Sequence, residues 1–229
     1  MVTRDKVLRY LRAGAQSQLD ELADSTAGGK LLASGDLLAW QGAEDVGGMV
    51  LDGEDFEAVI AHRRIEFASY PHEWPVEMLA AAGRCTLAIA KNLLADGFGL
   101  KDATPYNVLF DGPRPILVDV LSIERRRAGD PLWLAEAQFL RCFVLPLLAC
   151  RTLGRPTAEA FLADRDGLEP ETLYRSAGPL RRFAPGFFGL VTLPVWLAGM
   201  ANRRGEGLYR AGRAGGHVQR AAFVMGHRL

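Results

Sequence analysis

Apolar residues recur at different spacings along the chain, and each spacing predicts an element. Over residues 4–22, Val7, Leu8, Leu11, Leu19 and Leu22 fall at mostly helical intervals, with Arg and Asp between them; this predicts a helix. Residues 23–48 are rich in Gly and Asp, with short apolar pieces such as Leu37-Leu38, and predict loops with one short element. Met49-Val50-Leu51, Asp52-Gly53 and the run from Glu57 to Phe67 predict strand, turn and strand. Ala58-Val59-Ile60 and Ile65-Glu66-Phe67 form the cores of the second strand. Two prolines in Ser69-Tyr70-Pro71-His72-Glu73-Trp74-Pro75 exclude regular structure there, and Pro75 suits the first turn of a helix. The clearest helix is 75–96, where Met78, Leu79, Ala82, Leu87, Ile89, Ala90, Leu93 and Leu94 make a broad apolar face and Gly97 and Gly99 end it. Val108-Leu109-Phe110 and Ile116-Leu117-Val118 predict a β-hairpin around a five-residue turn, Asp111 to Pro115. Helical patterns follow at 131–153, 156–164, 169–175 and 187–202, and no segment repeats.

These elements predict an α+β chain: a small mixed part over 1–70, a mostly helical part over 71–202 that carries the hairpin, and a tail over 203–229. The tail holds six Arg against one Glu and is expected to be poorly ordered. The 229 residues suit one domain with a tail. At 49% hydrophobic residues the chain is too apolar for a disordered one. Its 27 basic and 27 acidic residues cancel, which excludes a global electrostatic footprint for nucleic acid. Three cysteines, an odd number without metal-type pairing, exclude a disulfide framework and a zinc site. With no apolar secretory segment at the N-terminus, a cytoplasmic location is expected. Residues 183–200 carry no charge between Arg181-Arg182 and Arg203-Arg204, near the minimum length of a membrane span. Pro185, Pro194 and three glycines interrupt them, so a buried helix or helix pair is expected, with peripheral membrane contact as the alternative.

The informative chemistry lies in Leu100-Lys101-Asp102-Ala103-Thr104-Pro105-Tyr106-Asn107, followed by the hairpin and Asp119. A hairpin brings the start of its first strand beside the end of its second. Asn107 and Asp119, with Asp102 one loop away, are therefore expected at one mouth. Oxygen-bearing side chains placed this way suit a hard cation such as Mg²⁺, which keeps waters and phosphate oxygens as further ligands. A carboxylate not bound to metal is then available to orient or deprotonate a hydroxyl. His62, His72, His217 and His227 show no ligand spacing.

This order resembles the protein kinase-like superfamily, including aminoglycoside phosphotransferases and the RIO kinases: Asp, four residues, Asn, a strand, a turn, a strand, then a metal-binding Asp. The resemblance covers about residues 49–125 and implies a bilobal kinase-like fold with a reduced N-terminal lobe. It implies ATP and Mg²⁺ as cofactors, Asp102 as catalytic base, and Asn107 and Asp119 as metal ligands. It makes 67–74 a hinge facing adenine, with Ser69 and Tyr70 at the nucleotide, and sets Lys101 near a phosphate. The combination of Ser-Tyr-Pro-x-Glu-Trp at 69–74, Leu-Lys-Asp-Ala-x-x-Tyr-Asn at 100–107 and Asp-x-Leu-Ser-x-Glu at 119–124 looks more closely like a bacterial group. Its members carry this region ahead of a SAM-dependent methyltransferase domain and are often labelled nodulation-related. The chain departs from the kinase pattern in four places. Leu100-Lys101 replaces the usual His, Val120-Leu121 follows the metal Asp, no Gly-rich phosphate-covering loop has the usual spacing, and no Lys lies in a strand before the hinge. Lys30 sits in a loop-like setting, which leaves Arg63 or Arg64 as the substitute phosphate cation. The expectation is therefore an ATP-dependent phosphotransferase acting on a small molecule or protein hydroxyl. A non-catalytic pseudokinase module that works with a methyltransferase partner is the alternative.

Overall fold

The computed structural model describes residues 5–43, 56–127, 133 and 135–201. The expected strand at 49–51 with its Asp52-Gly53 turn, and the basic tail at 203–229, lie outside these residues. The chain divides into two compact units at Glu169/Pro170.

The first unit opens with β1 (Lys6–Leu11), not with the helix expected over 4–22. Val7, Leu8 and Leu11 satisfy a helical spacing, but Gly14 at φ 83° breaks it, and only Ala15–Asp24 form a helix, α1. Residues 6–11 instead pair antiparallel with β3 (Ala58–Arg63), Leu8 opposite Ala61 and Arg9 opposite Ile60. On its other edge β3 pairs with β2 (Trp40–Ala43). Ile65-Glu66-Phe67, expected as strand, lies past the end of β3, and Phe67 is exposed. The Gly-rich stretch holds a full helix, α2 (Thr26–Ser34), whose first turn is capped by the Ser25 hydroxyl accepting from the Gly28 N–H at 3.0 Å. Gly28 is needed for its lack of a side chain: a Cβ there would fall 1.8 Å from the Leu22 carbonyl oxygen of α1.

Helix α3 (Val76–Ala95) is the centre of the core. Leu79, Ala82, Ile89 and Leu93 are almost fully buried, while Leu87 and Leu94 face solvent, so its apolar face is narrower than the sequence suggests. Gly97, at φ 76°, ends it as expected. Gly99 does not; it lies in β4 (Phe98–Leu100), which pairs with β7 (Ile123–Arg125). The hairpin is β5 (Val108–Asp111) and β6 (Arg114–Leu117), and its turn is two residues long rather than five. Asp111 pairs with Arg114, and Gly112 takes the positive φ, 58°, that a tight hairpin turn requires. Residues 36–38 run beside β6. Leu117 N–H donates to the Asp36 carbonyl and Leu38 N–H to the Leu117 carbonyl, both at 2.9 Å. Arg114 adds an ion pair to Asp36 at 2.9 Å.

The remaining helices of this unit are α4 (Glu136–Phe139), a π turn at Leu140–Val144, α5 (Leu145–Leu153) and α6 (Thr157–Ala163). Phe143 packs against the bare α-carbon of Gly83 in α3: a Cβ there would sit 3.1 Å from its ring. The second unit holds α7 (Pro170–Ser176), α8 (Pro179–Arg182) and α9 (Phe188–Ala201), the last opening with a π turn at Phe188–Thr192. The structure is thus α+β, with small antiparallel sheets and a predominance of helix.

Candidate functional site

The loop from Leu100 to Asn107 is fixed at several points along its backbone. Lys101 N–H donates to the Ser122 carbonyl at 2.9 Å, extending the β4–β7 ladder by one rung. The Trp133 indole donates to the Leu100 carbonyl at 3.2 Å, and Ala103 N–H donates to Gln138 Oε1 at 2.6 Å. Thr104 then starts a 3₁₀ turn, Pro105–Asn107, that delivers Asn107 to the start of β5. The Asn107 carbonyl accepts the Val118 N–H at 2.8 Å, one rung beyond the last hairpin pair, Val108 with Leu117. Asn107 and Asp119 are therefore carried at one end of the hairpin. Asp102 lies on the adjoining loop, tied to the same segment through Lys101 and Ser122.

Asp119 begins a second 3₁₀ turn, Val120–Ser122. Ser122 is fully buried, and its hydroxyl donates to the Asp119 carbonyl at 2.7 Å, so the serine of the Asp-x-Leu-Ser motif shapes the turn. The Asp119 carboxylate meets Arg9 of β1: Nη1 donates to Oδ1 at 2.8 Å, and Nη2 donates to the Val118 carbonyl at 3.0 Å. Both side chains are about 30% exposed, 29% for Arg9 and 30% for Asp119. Sequence reasoning missed Arg9 because a helix over 4–22 would have pointed it elsewhere. Of the candidates it offered, Arg63 pairs with Asp111 at 2.6 Å and Lys30 is exposed on α2; the expectation that no Lys lies in a strand before the hinge is corrected by Lys6, the first residue of β1.

Two buried polar atoms in this region have no hydrogen-bond partner, Asn107 Nδ2 and His62 Nε2. His62 lies on β3, and its Nδ1–H donates to the Ala39 carbonyl at 3.0 Å, so Nε2 carries the lone pair. Burial lowers the His62 pKa. The Ala39 bond pulls it upward, the Arg9 charge adds to the lowering and Asp119 opposes it. The ring is neutral at pH 7.

Ser69 and Tyr70, expected at a hinge, are occupied internally. The Ser69 hydroxyl accepts the indole N–H of buried Trp74 at 2.9 Å, and Trp74 stands edge-on to Phe110 with ring centroids 5.1 Å apart. Tyr70 N–H donates to Glu73 Oε2 at 2.7 Å while Glu73 N–H donates to the Tyr70 carbonyl at 2.8 Å. This reciprocal pair closes the Pro71–Glu73 turn. The Lys101 side chain is exposed.

The donor set fits a magnesium ion better than a transition metal. Among the described residues no three His, Cys, Asp or Glu side chains gather as a metal site. One carboxylate and one amide, with the rest of the shell from water and phosphate, is a magnesium-type arrangement. The unsatisfied Asn107 Nδ2 is a donor that calls for an acceptor such as a water or a phosphate oxygen, while Oδ1 is the atom that would face a cation.

No family model matches the chain. Over 90 residues it is 44% identical to "Nodulation protein NoeA" of Rhizobium meliloti (strain 1021), a stretch covering 39% of this chain and 19% of that protein. The aligned stretch is thus about a fifth of that relative's length.

Proposed function

We propose that the chain is a phosphotransferase of protein kinase-like fold that takes a magnesium–nucleotide complex at the open end of the β5–β6 hairpin. The observation that carries this reading is the register of the hairpin. It sets Asn107 and Asp119 at one end, and the Lys101–Ser122 rung holds the Asp102 loop beside them. In this reading Asp119 and Asn107 hold Mg²⁺, which supplies charge neutralisation for a transferring phosphoryl group. Asp102 orients the acceptor hydroxyl and takes its proton. Arg9 of β1 supplies at this site the positive charge that a strand lysine supplies in the kinase pattern; Lys6, the lysine that β1 does carry, starts the strand three residues earlier. Because guanidinium binds phosphate oxygens through a planar fork, it grips a different set of oxygens from a lysine.

The reading is tested by titrating the protein with a fluorescent ATP analogue, with and without Mg²⁺. Binding should require Mg²⁺, and Asn107→Ala should weaken it by about tenfold, the loss expected of one charge-assisted contact. Asp102→Asn should bind as the wild type does while ATP turnover falls by about 10²–10⁴-fold. Binding indifferent to Mg²⁺, or wild-type turnover in Asp102→Asn, contradicts the reading.

The Arg9–Asp119 pair also favours a second reading, in which the guanidinium takes the place of the cation. The domain is then a non-catalytic module, with a methyltransferase as its partner. The internal bonds of Ser69 and Tyr70 support it, since the Tyr70 N–H is already given to Glu73. In that case ATP and Mg²⁺ leave the melting temperature unchanged.

A further inference from the structure

Helix α9 (Phe188–Ala201) is apolar on both of its faces. One face is buried through Phe187, just before it, and Val191. Leu190, Leu193, Trp196, Leu197 and Met200 recur at intervals of three and four, so they share one stripe, and all are 36–51% exposed. Phe183 is 63% exposed and extends the stripe, stacking on Phe188 and standing edge-on to Trp196 at 6.1 Å. The helix carries no charged residue. A solvent-facing helix surface of this composition needs an occupant.

The charge distribution indicates which one. Residues 170–229 contain nine Arg and no Lys or Asp, against Glu171 and Glu206, a formal charge of +7. Since the whole chain is neutral, residues 1–169 carry −7. Arg175 and Arg181 are exposed within the same unit as α9. An apolar stripe flanked in sequence by concentrated arginine, with Arg175 and Arg181 exposed in the same unit, matches an anionic lipid surface, where the apolar residues enter the acyl boundary and the guanidinium groups meet phosphate. A second copy of the chain would bring +7 against +7. A nucleic acid would want its cations on the presented face, which is aliphatic and aromatic instead.

We propose that α9 is an in-plane anchor by which the chain docks on an anionic membrane surface. It does not span the bilayer. Its 14 residues are about 21 Å long at 1.5 Å per residue, short of a hydrocarbon core about 30 Å thick, and its inner face is already buried. Trp196 sits in the stripe as an interfacial aromatic, with its indole N–H donating to the Tyr174 hydroxyl at 3.0 Å.

The full chain should co-sediment with vesicles of phosphatidylcholine plus phosphatidylglycerol, poorly with phosphatidylcholine alone, and less as salt rises. Its tryptophan emission should shift to the blue on binding, and Trp196→Phe should remove that shift. Leu193→Glu and Leu197→Glu replace exposed residues, so each should fold as the wild type by circular dichroism. Each should nonetheless weaken vesicle binding about tenfold or more, the loss expected for one buried leucine. Three results overturn the proposal. One is a wild type that stays in the supernatant with anionic vesicles. Another is binding of both glutamate variants as tight as the wild type's, which would leave binding to the arginines alone. The third is a dimer that the same variants dissociate without any vesicle binding, which would make the stripe a contact between copies.

Discussion

The residue that most alters the picture of the site is Arg9. Its spacing from Val7, Leu8 and Leu11 fits a strand or a helix equally, and Gly14, at a left-handed φ just before α1, is what breaks a continuous helix over 4–22. Asn107 and Asp119 were legible because hairpin geometry follows from a pair of apolar runs and a turn. The ion pair on Asp119 was not, because it crosses 110 positions of sequence. Single residues also carry two predictions that do not depend on the functional reading. His62 is held neutral by burial, so below its ordinary value of 6.5 the unfolded chain binds a proton that the folded one does not. Stability should therefore decline as pH falls through about 6.5, and His62→Gln should flatten that decline in thermal melts. An unchanged slope would show that another group governs it. Burial pushes the Cys85 and Cys142 thiols up to about 11. At pH 8 only about one in a thousand of each is then thiolate. Iodoacetamide should label both far faster in denaturant than in buffer, and equal rates would contradict their burial.

At the scale of elements, pattern was a good guide wherever an apolar face was long. Helix α3, the hairpin strands and helices α5 to α7 lie close to where periodicity puts them. The failures have separate causes. Strands β4 and β7 are three residues each, too short to show alternation, and β4 contains a glycine. Helix α2 carries Gly28-Gly29, which reads as loop because glycine costs about 1 kcal/mol in a helix. One of the two glycines is required by packing and the other is not, and this can be measured. Gly28→Ala should destabilise the fold by about 1–3 kcal/mol, because its Cβ would collide with the Leu22 carbonyl of α1. Gly29→Ala, whose Cβ meets nothing closer than 3.8 Å, should stabilise by up to about 1 kcal/mol. Denaturant midpoints moving the same way for both variants would contradict this account of the α1–α2 contact.

For the whole molecule, the sequence supports an α+β chain, and the structure agrees on that class. The expected boundary near residue 70 falls inside the first compact unit, whose end at Glu169 has no compositional mark beyond the following Pro170. Net charge is −7 before it and +7 after, a split hidden in a net charge of zero, but +5 of that belongs to residues 203–229, so it marks the tail more than the boundary. The central claim is that the hairpin mouth takes a magnesium–nucleotide complex through Asp119. The most direct measurement is the melting temperature of the wild type and of Asp119→Ala, each with ATP, with Mg²⁺ and with both. A ligand that binds only the folded state at about a hundred times its Kd adds about 2.7 kcal/mol, or about 5–10 °C for a chain of this size. The account predicts a rise of that order for the wild type only when ATP and Mg²⁺ are both present, and none in Asp119→Ala. A wild-type melting temperature unmoved by millimolar ATP with Mg²⁺, or an equal rise in the variant, would contradict it.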